Sequence, residues 1–360
     1  MTEMGFFARC NVFPRIRPIA ATLLATLFFS ACDSREQRFT ETLVGPFDTV
    51  TIFVGYAGNR KAFDGYTKIV FGRLEELHRL YDIFNEYEGL DNLYTINSMA
   101  GVGPVKVDNR LIDMLLAARE AYEISGGANN PAMGSVLRIW HDHRTLGIES
   151  PENATLPSID ELLAASEHTS ISDVVIDKAA GTVFLRDPKM SLDVGSVGKG
   201  YAAGLALEEA AHAGMKSALL SVGGHVVALG SPQGRDYWNV AVENPRAGTE
   251  GQQDNLDTVA LADGTVSVSG AYIRFFEVDG RTLGHIIDPW TLMPAALYSQ
   301  VVVVHPESWV ADAVSTALFV LPREEGLALA LASGAEALWI DLDGSWNFTP
   351  GYAPLSRALR

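Results

Sequence analysis

Several short segments of this chain carry side chains suited to phosphate and metal chemistry. The first is Asp193-Val-Gly-Ser-Val-Gly-Lys-Gly-Tyr201, a glycine-dense turn running straight into a helix. Such a turn lets backbone N–H groups face an anion, with the helix dipole behind them. Lys199 adds a point charge suited to a phosphate. It is not a Walker loop, since Gly200 stands where Ser or Thr is required, and its glycines do not fit a dinucleotide fingerprint. The second segment is His285-Ile-Ile-Asp-Pro289. Pro289 pushes Asp288 toward an extended backbone. His285 suits proton shuttling or phosphate binding near neutral pH, and Asp288 suits ordering that ring or taking a proton. The third is Ala311-Asp-Ala-Val-Ser-Thr316. On a helix, Asp312, Ser315 and Thr316 fall on one face, and three oxygen groups there suit a hard cation such as Mg²⁺.

Two aromatic segments complete the set. Ser125-Gly-Gly-Ala-Asn-Asn-Pro-Ala-Met-Gly, continuing to Trp140, reads as an irregular turn leading to an exposed ring that can stack a planar ligand. Tyr81-Asp-Ile-Phe-Asn-Glu-Tyr-Glu-Gly clusters further aromatics. Each segment also has a plainer reading: a tight turn, a satisfied His–Asp contact, a helix face near the dipole, or core packing of aromatics.

The elements that must position these residues follow from periodicity. Thr49–Tyr56 alternates and is β-rich, so it predicts a strand. Ala62–Tyr81 has apolar residues at helical spacing, Leu111–Ile124 forms a second helix, and Gly200–Ala213 a third, stopped at Gly214. A hairpin joins Val174–Ile176 to Val183–Leu185, and strands Ala218–Val222 and Val226–Leu229 flank Gly223-Gly224. Further strands are expected at Trp238–Val242, Val259–Leu261, Arg274–Val278, Gln300–His305 and Ala337–Asp341, with helices at Val310–Phe319 and Glu324–Ala332. Strands and helices mix without strict βαβ alternation, which favours an α+β class over a doubly wound sheet.

The chain has 360 residues, 48% hydrophobic and 20% charged, which is ample for one large core or two intimate subdomains. A net charge of −17 argues against nucleic acid and against electrostatic docking on an anionic membrane. An acidic protein that handles a phosphorylated ligand must concentrate positive charge locally. At the N-terminus, Arg9, Arg15 and Arg17 precede an apolar run, Ile19–Phe29, and then Ser30, Ala31 and Cys32. Basic, apolar, small-residue is the order of an export signal, and the run is shorter than the ~20 residues needed to span about 30 Å of hydrocarbon. Small residues before a Cys resemble a lipoprotein cleavage box. The expected organisation is a signal over 1–31, acylated Cys32, a polar tether over 32–42 and a folded domain over 43–360, exported and facing the periplasm at the inner membrane. Only Cys10 and Cys32 exist, so no disulfide framework is expected.

Taken together, and in this order along the chain, the glycine turn at Asp193, Ser221-Val-Gly-Gly, His285-Ile-Ile-Asp-Pro and Ala311-Asp-Ala-Val-Ser-Thr resemble the FAD:protein FMN transferases, the ApbE-type flavin transferases. The resemblance covers about Leu43 to Pro322. It implies an ApbE-like α+β fold of mixed sheets with packed helices, and Mg²⁺-dependent transfer of FMN from FAD to a Thr or Ser of an acceptor redox protein, with release of AMP. It further implies that Asp193 and Lys199 contact FAD and that Ser196 gives its backbone oxygen to Mg²⁺. Asp312 corresponds to the principal metal ligand, with Ser315 and Thr316 beside it. His285 and Ile286 correspond to flavin-pocket positions, with His285 a candidate acid or base. Arg138, Ile139 and Trp140 fall at adenine or flavin contacts, and Phe84 to Tyr87 at the pocket wall. The chain departs from the family pattern at Val44-Gly45-Pro46, at Ala271 within Ser269-Gly270-Ala271-Tyr272, and at Leu292. Loss of a polar side chain at Ala271 leaves room for water as the nucleophile, giving an FAD pyrophosphatase. A non-catalytic flavin-binding lipoprotein is a further alternative. Ser196-Val-Gly-Lys199 also fits the Ser-x-x-Lys motif of penicillin-binding enzymes, but no Lys-Thr-Gly follows.

Overall fold

The computed structural model describes residues 36–247, 253–272 and 274–360. The expected signal segment and Cys32 lie outside them. The helices are α1 (Arg60–Tyr81), α2 (Leu93–Ser98), α3 (Asn109–Ile124), α4 (Gly134–Glu149), α5 (Ile159–Ser166), α6 (Gly198–His212), α7 (Ser308–Val320) and α8 (Arg323–Ser333). The strands are β1 (Gln37–Val44), β2 (Val50–Ala57), β3 (Val105–Lys106), β4 (Val174–Asp177), β5 (Thr182–Leu185), β6 (Ala218–Val222), β7 (His225–Leu229), β8 (Trp238–Glu243), β9 (Asn255–Leu261), β10 (Gly264–Gly270), β11 (Phe275–Val278), β12 (Arg281–Gly284), β13 (Tyr298–His305), β14 (Glu336–Asp341) and β15 (Trp346–Phe348).

Eight strands build the main sheet in the order β1-β2-β6-β7-β10-β13-β14-β15, and every neighbouring pair is antiparallel. Alternation along each strand sends successive side chains to opposite faces. Phe53 of β2 joins the core under α1 and α6. Val301 and Val303 of β13, with Trp339 of β14, pack under α7 and α8. Their neighbours Val54, Val302, Val304 and Leu338 face the other way, where the β8–β9 ribbon and Tyr352 cover them. Both faces of β13 are thus buried, which accounts for its run of four valines. Smaller sheets, β3-β5-β4 and β11-β12, stand apart from the large one. The architecture is α+β, as the lack of βαβ alternation predicts.

Several elements differ from expectation, among them α2, α5, β3 and β15, which the periodicity does not predict, and three more are instructive. Residues expected in a polar tether instead form β1, whose Gln37 to Thr42 pair with Ala57 to Ile52 of β2. The central strand β10 reads Gly-Thr-Val-Ser-Val-Ser-Gly and lacks the apolar signal of a buried strand. Its Ser267 and Ser269 are buried through hydrogen bonds to Ser315. The irregular turn after Ser125 ends at Met133, and the following residues up to Trp140 and beyond form α4.

Helices α6 and α7 meet through a seam of small residues. Gly200 and Gly204 lie one turn apart on α6, and Ser308 and Asp312 one turn apart on α7. A Cβ on Gly200 would stand 2.6 Å from the Asp312 Cβ and 2.7 Å from the Ser308 carbonyl oxygen, and one on Gly204 would stand 2.9 Å from the Ser308 Cβ. The glycines let the two backbones close to this distance. Gly72 on α1 has open space around its would-be Cβ. Gly204→Ala is therefore expected to destabilise the protein by about 1–3 kcal/mol through overpacking. Gly72→Ala is expected to stabilise it by about 0.5–1 kcal/mol, since glycine costs that much inside a helix. Denaturant melts of the two variants check the contrast, and equal effects would contradict the seam.

Candidate active site

The seam opens at one end into a cleft of about 850 Å³. The turn Asp193–Val197 forms part of its wall, and the Asp193 Oδ1 closes that turn by accepting the Gly195 N–H at 2.8 Å. Helix α6 starts at Gly198 with no capping side chain of its own. Its cap comes from α7: the Gly200 N–H donates to the Asp312 Oδ2 at 2.8 Å. A carboxylate at a helix N-terminus gains from both the free N–H groups and the dipole. Lys199 Nζ lies 3.9 Å from the same oxygen and donates to the Gly195 carbonyl at 2.9 Å. Asp312 is only 5% exposed, yet it borders the cleft.

Asn129 ties the glycine turn to α7. Its Oδ1 accepts the Ser196 Oγ–H at 2.7 Å, and its Nδ2 donates to the Ala313 carbonyl at 3.1 Å. The two segments that the sequence pointed to for metal and phosphate are thus joined three ways, through Gly200, Lys199 and Asn129. Thr316 borders the cleft and donates to the Asp312 carbonyl at 3.3 Å. Ser315 does not reach the cleft. It is fully buried and bonds Ser267, Ser269 and the Asp312 carbonyl at 2.9–3.1 Å, fastening α7 to β10. A back-bonded hydroxyl one residue away from Thr316 points to a different side of the helix.

His285 lines the cleft. Its Nδ1 meets the Arg274 carbonyl at 3.2 Å. A carbonyl only accepts, so Nδ1 carries the proton and Nε2 keeps its lone pair. Burial, helped by Arg274, Lys199 and Arg144, pushes the ring down to about 3, so it is neutral at physiological pH. The expected partner Asp288 does not order this ring. Its Oδ1 accepts the Trp290 and Thr291 N–H groups at 2.8 and 3.3 Å, closing the turn that Pro289 begins. Ile286 is buried beside His285 and lines the cleft.

Arg138 is exposed on α4 and borders the cleft. Ile139 instead packs with the core beneath α4. Trp140 is not an exposed ring: it is 4% exposed, and its Nε1 donates to the Leu292 carbonyl at 2.8 Å. The departure at Leu292 belongs to that contact, for Leu292 sits at φ 61 and its carbonyl is the indole's acceptor. Phe84, 48% exposed, supplies the aromatic wall, with His141 at 4.8 Å between ring centroids. Asp82 holds this wall in shape, accepting from the Phe84 and Asn85 N–H groups and from Tyr87 Oη.

Four residues outside the expected set matter here: Asn129, Arg144, His225 and Arg274. Arg138, Arg144, Lys199 and Arg274 bring basic side chains to the cleft of an acidic protein, beside Asp48, Asp82, Asp193 and Asp312. The Arg144 guanidinium is held below its usual range by burial and then by Arg274. A half-buried Arg144 with the exposed Arg274 nearby suits an anionic ligand. Asn129 lies within the Ser125-to-Trp140 segment, whose sequence suggests ring stacking rather than this bridging role. His225 follows the Gly223-Gly224 pair directly, and strand alternation from β6 was the signal that places it on the helix-facing side.

Among the described residues no cluster of three or more His, Cys, Asp or Glu is placed to hold a metal. The donor set around Asp312 is of another kind, one carboxylate with neutral oxygens beside the N-terminal turn of α6. That fits a hard cation that keeps part of its shell for substrate phosphates.

The geometry has close counterparts among known proteins. The chain is 36% identical to an FAD:protein FMN transferase of Treponema pallidum over 282 residues, 74% of this chain and 75% of that one. It is 28% identical to one of Klebsiella pneumoniae over 262 residues, 69% of this chain and 77% of that one. The crystal structure of the ApbE protein of Thermotoga maritima superposes with a TM-score of 0.79 at 25% identity, covering 89% of this chain and 100% of that one. The apo flavinyl transferase ApbE of Pseudomonas stutzeri shares the fold, with a TM-score of 0.73 at 24% identity, covering 89% and 96%. The ApbE family model matches residues 49–339, and the chain belongs to that family.

Proposed function

We propose that this enzyme is an FAD:protein FMN transferase that moves FMN from FAD onto a Thr or Ser hydroxyl of an exported or membrane redox protein, releasing AMP. The observation that carries the reading is the buried Asp312 carboxylate, held on one oxygen by the N-terminal turn of α6 in the wall of a cleft that Lys199, Arg144 and Arg274 also line. An acidic chain places these three cations there, where a diphosphate is the matching anion.

In this reading Asp312, Thr316 and the Ser196 carbonyl hold Mg²⁺, and Ser315 positions α7 from behind. The ion, when bound, neutralises charge on the diphosphate and on departing AMP. The acceptor oxygen attacks the phosphorus of the FMN half, the bond from that phosphorus to the bridging oxygen breaks, and the electron pair leaves with AMP. Charge spreads over the phosphoryl oxygens in the transition state, so positioning and fixed positive charge do most of the work. Lys199 and the α6 N-terminus face that charge. The Nε2 lone pair of His285 is the candidate acceptor for the hydroxyl proton. Asp193 fixes the glycine turn, while Phe84, Ile286 and Arg138 bound the space for the rings.

Location belongs to the same proposal: a lipid on Cys32 tethers the enzyme, and Cys32→Ser is expected to release it from the membrane fraction.

Asp312→Asn keeps an acceptor for the Gly200 N–H but removes the charge. It is expected to cut Mg²⁺-dependent turnover by about 10²-fold or more with little change in melting temperature. Turnover near wild type would remove the metal assignment. Because burial holds His285 neutral above about 3, kcat/KM for FAD is expected to be flat from about pH 5.5 to 8 in the free enzyme. A rise with a midpoint near the ordinary histidine value would contradict this. The deciding assay mixes protein, FAD and Mg²⁺ with a threonine-containing acceptor domain. Covalent flavin fluorescence on the acceptor with matching AMP is the expected result. Free FMN alone would make the chain a pyrophosphatase, and unconsumed FAD a binding protein.

A further inference from the structure

His225 is 2% exposed and sits at the start of β7, where the two-residue Gly223-Gly224 turn delivers it. Its ring lies between the N-terminal turns of α6 and α7. The Nε2 is 2.8 Å from the Ser308 Oγ, and the same Oγ is 2.6 Å from the Gly200 carbonyl. Serine has one proton, and the carbonyl can only accept it. Ser308 therefore donates to Gly200 and accepts from the Nε2–H of His225. That fixes the tautomer and leaves Nδ1 with a bare lone pair. Nδ1 is buried and has no hydrogen-bond partner. It faces the Asp312 Oδ1 at 3.8 Å.

Asp312 is asymmetric in the same sense. Its Oδ2 takes the Gly200 N–H and faces Lys199, whereas no donor among the described residues bonds Oδ1. Two atoms that carry lone pairs thus face each other at the cleft floor with nothing positive between them. A buried acceptor without a donor costs about 1–3 kcal/mol, and an anionic neighbour adds repulsion. The separation suits two ligands of one ion: atoms each about 2.1 Å from a common centre stand roughly 3–4 Å apart, depending on the angle.

We propose that His225 Nδ1 is a ligand of the divalent ion, sharing it with Asp312 Oδ1, so that this chain builds a mixed nitrogen–oxygen site. The inference rests on the reading of Asp312 as a metal ligand and goes beyond it. Ser308 is the positioning residue, since its bond to Nε2 presents Nδ1 to the ion. An imidazole among the donors raises affinity for first-row divalent metals relative to an all-oxygen site. The site therefore favours Mn²⁺ over Mg²⁺ more strongly than its carboxylate and hydroxyl donors alone would.

The test uses the full chain in detergent with Mn²⁺ as the probe, read by pulsed electron paramagnetic resonance. Bound Mn²⁺ is expected to show a ¹⁴N coupling that becomes a ¹⁵N coupling when histidine alone is ¹⁵N-labelled. That labelled wild-type spectrum stands even if a variant folds poorly. His225→Gln is expected to lose the coupling, keep Mn²⁺ binding, and lower the Mn²⁺-to-Mg²⁺ preference by about tenfold. Mn²⁺ that binds through Asp312, as judged by its loss in Asp312→Asn, but shows no nitrogen coupling would overturn the His225 assignment and leave the divalent-ion reading standing. Coupling that survives His225→Gln would overturn it too. A wild-type chain that binds no Mn²⁺ would sink both.

Discussion

The hydrogen bond from the Gly200 N–H to the Asp312 carboxylate is the contact on which the site depends. It needs glycine at 200, because any side chain there would strike α7. It needs a side-chain acceptor at 312, because α6 has no capping side chain of its own. The bond serves structure and chemistry at once. It completes the end of one helix, and it fixes the Asp312 side chain with its second oxygen, Oδ1, facing His225. The small residues of α6 follow from this, since Gly200, Ala203, Gly204 and Ala206 let the helix lie close to its neighbours.

Electrostatics around that point run against the composition. The chain carries 44 acidic and 27 basic residues, yet Lys199, Arg144 and Arg274 converge on one cleft. Burial, and then neighbouring cations, disfavours the charged forms of Arg144 and His285. In the proposed function, the FAD diphosphate would offset that cost.

Much of this was legible in the sequence. The glycine turn, the helix face bearing Asp312 and the His285 segment were identified from residue type and spacing, and they converge. Long periodic elements such as α1 and β13 were plain because burial imposes a strong repeat. The failures have physical causes. The central strand β10 hides because its buried serines are satisfied by Ser315, a partner 46 to 48 positions away. Helix α4 hides behind a Gly/Asn/Pro turn that ends one residue before it starts. Spacing placed Ser315 and Thr316 on one face, but not which of two adjacent hydroxyls meets the cleft. Asp288 and His285 are neighbours in sequence, yet turn closure claims the carboxylate. Asn129 and His225 act through contacts spanning 67 to 184 positions, which no local pattern carries.

The proposed chemistry needs a divalent ion at the Asp312 oxygen that the α6 N-terminus leaves free. The most direct measurement is an anomalous difference map from crystals of the protein grown with Mn²⁺ and FAD. The account predicts a single strong peak within about 2.3 Å of Asp312 Oδ1, between the glycine turn and α7, beside the FAD phosphates. A peak elsewhere, or FAD phosphates ordered in the cleft with no peak at Asp312, would contradict it.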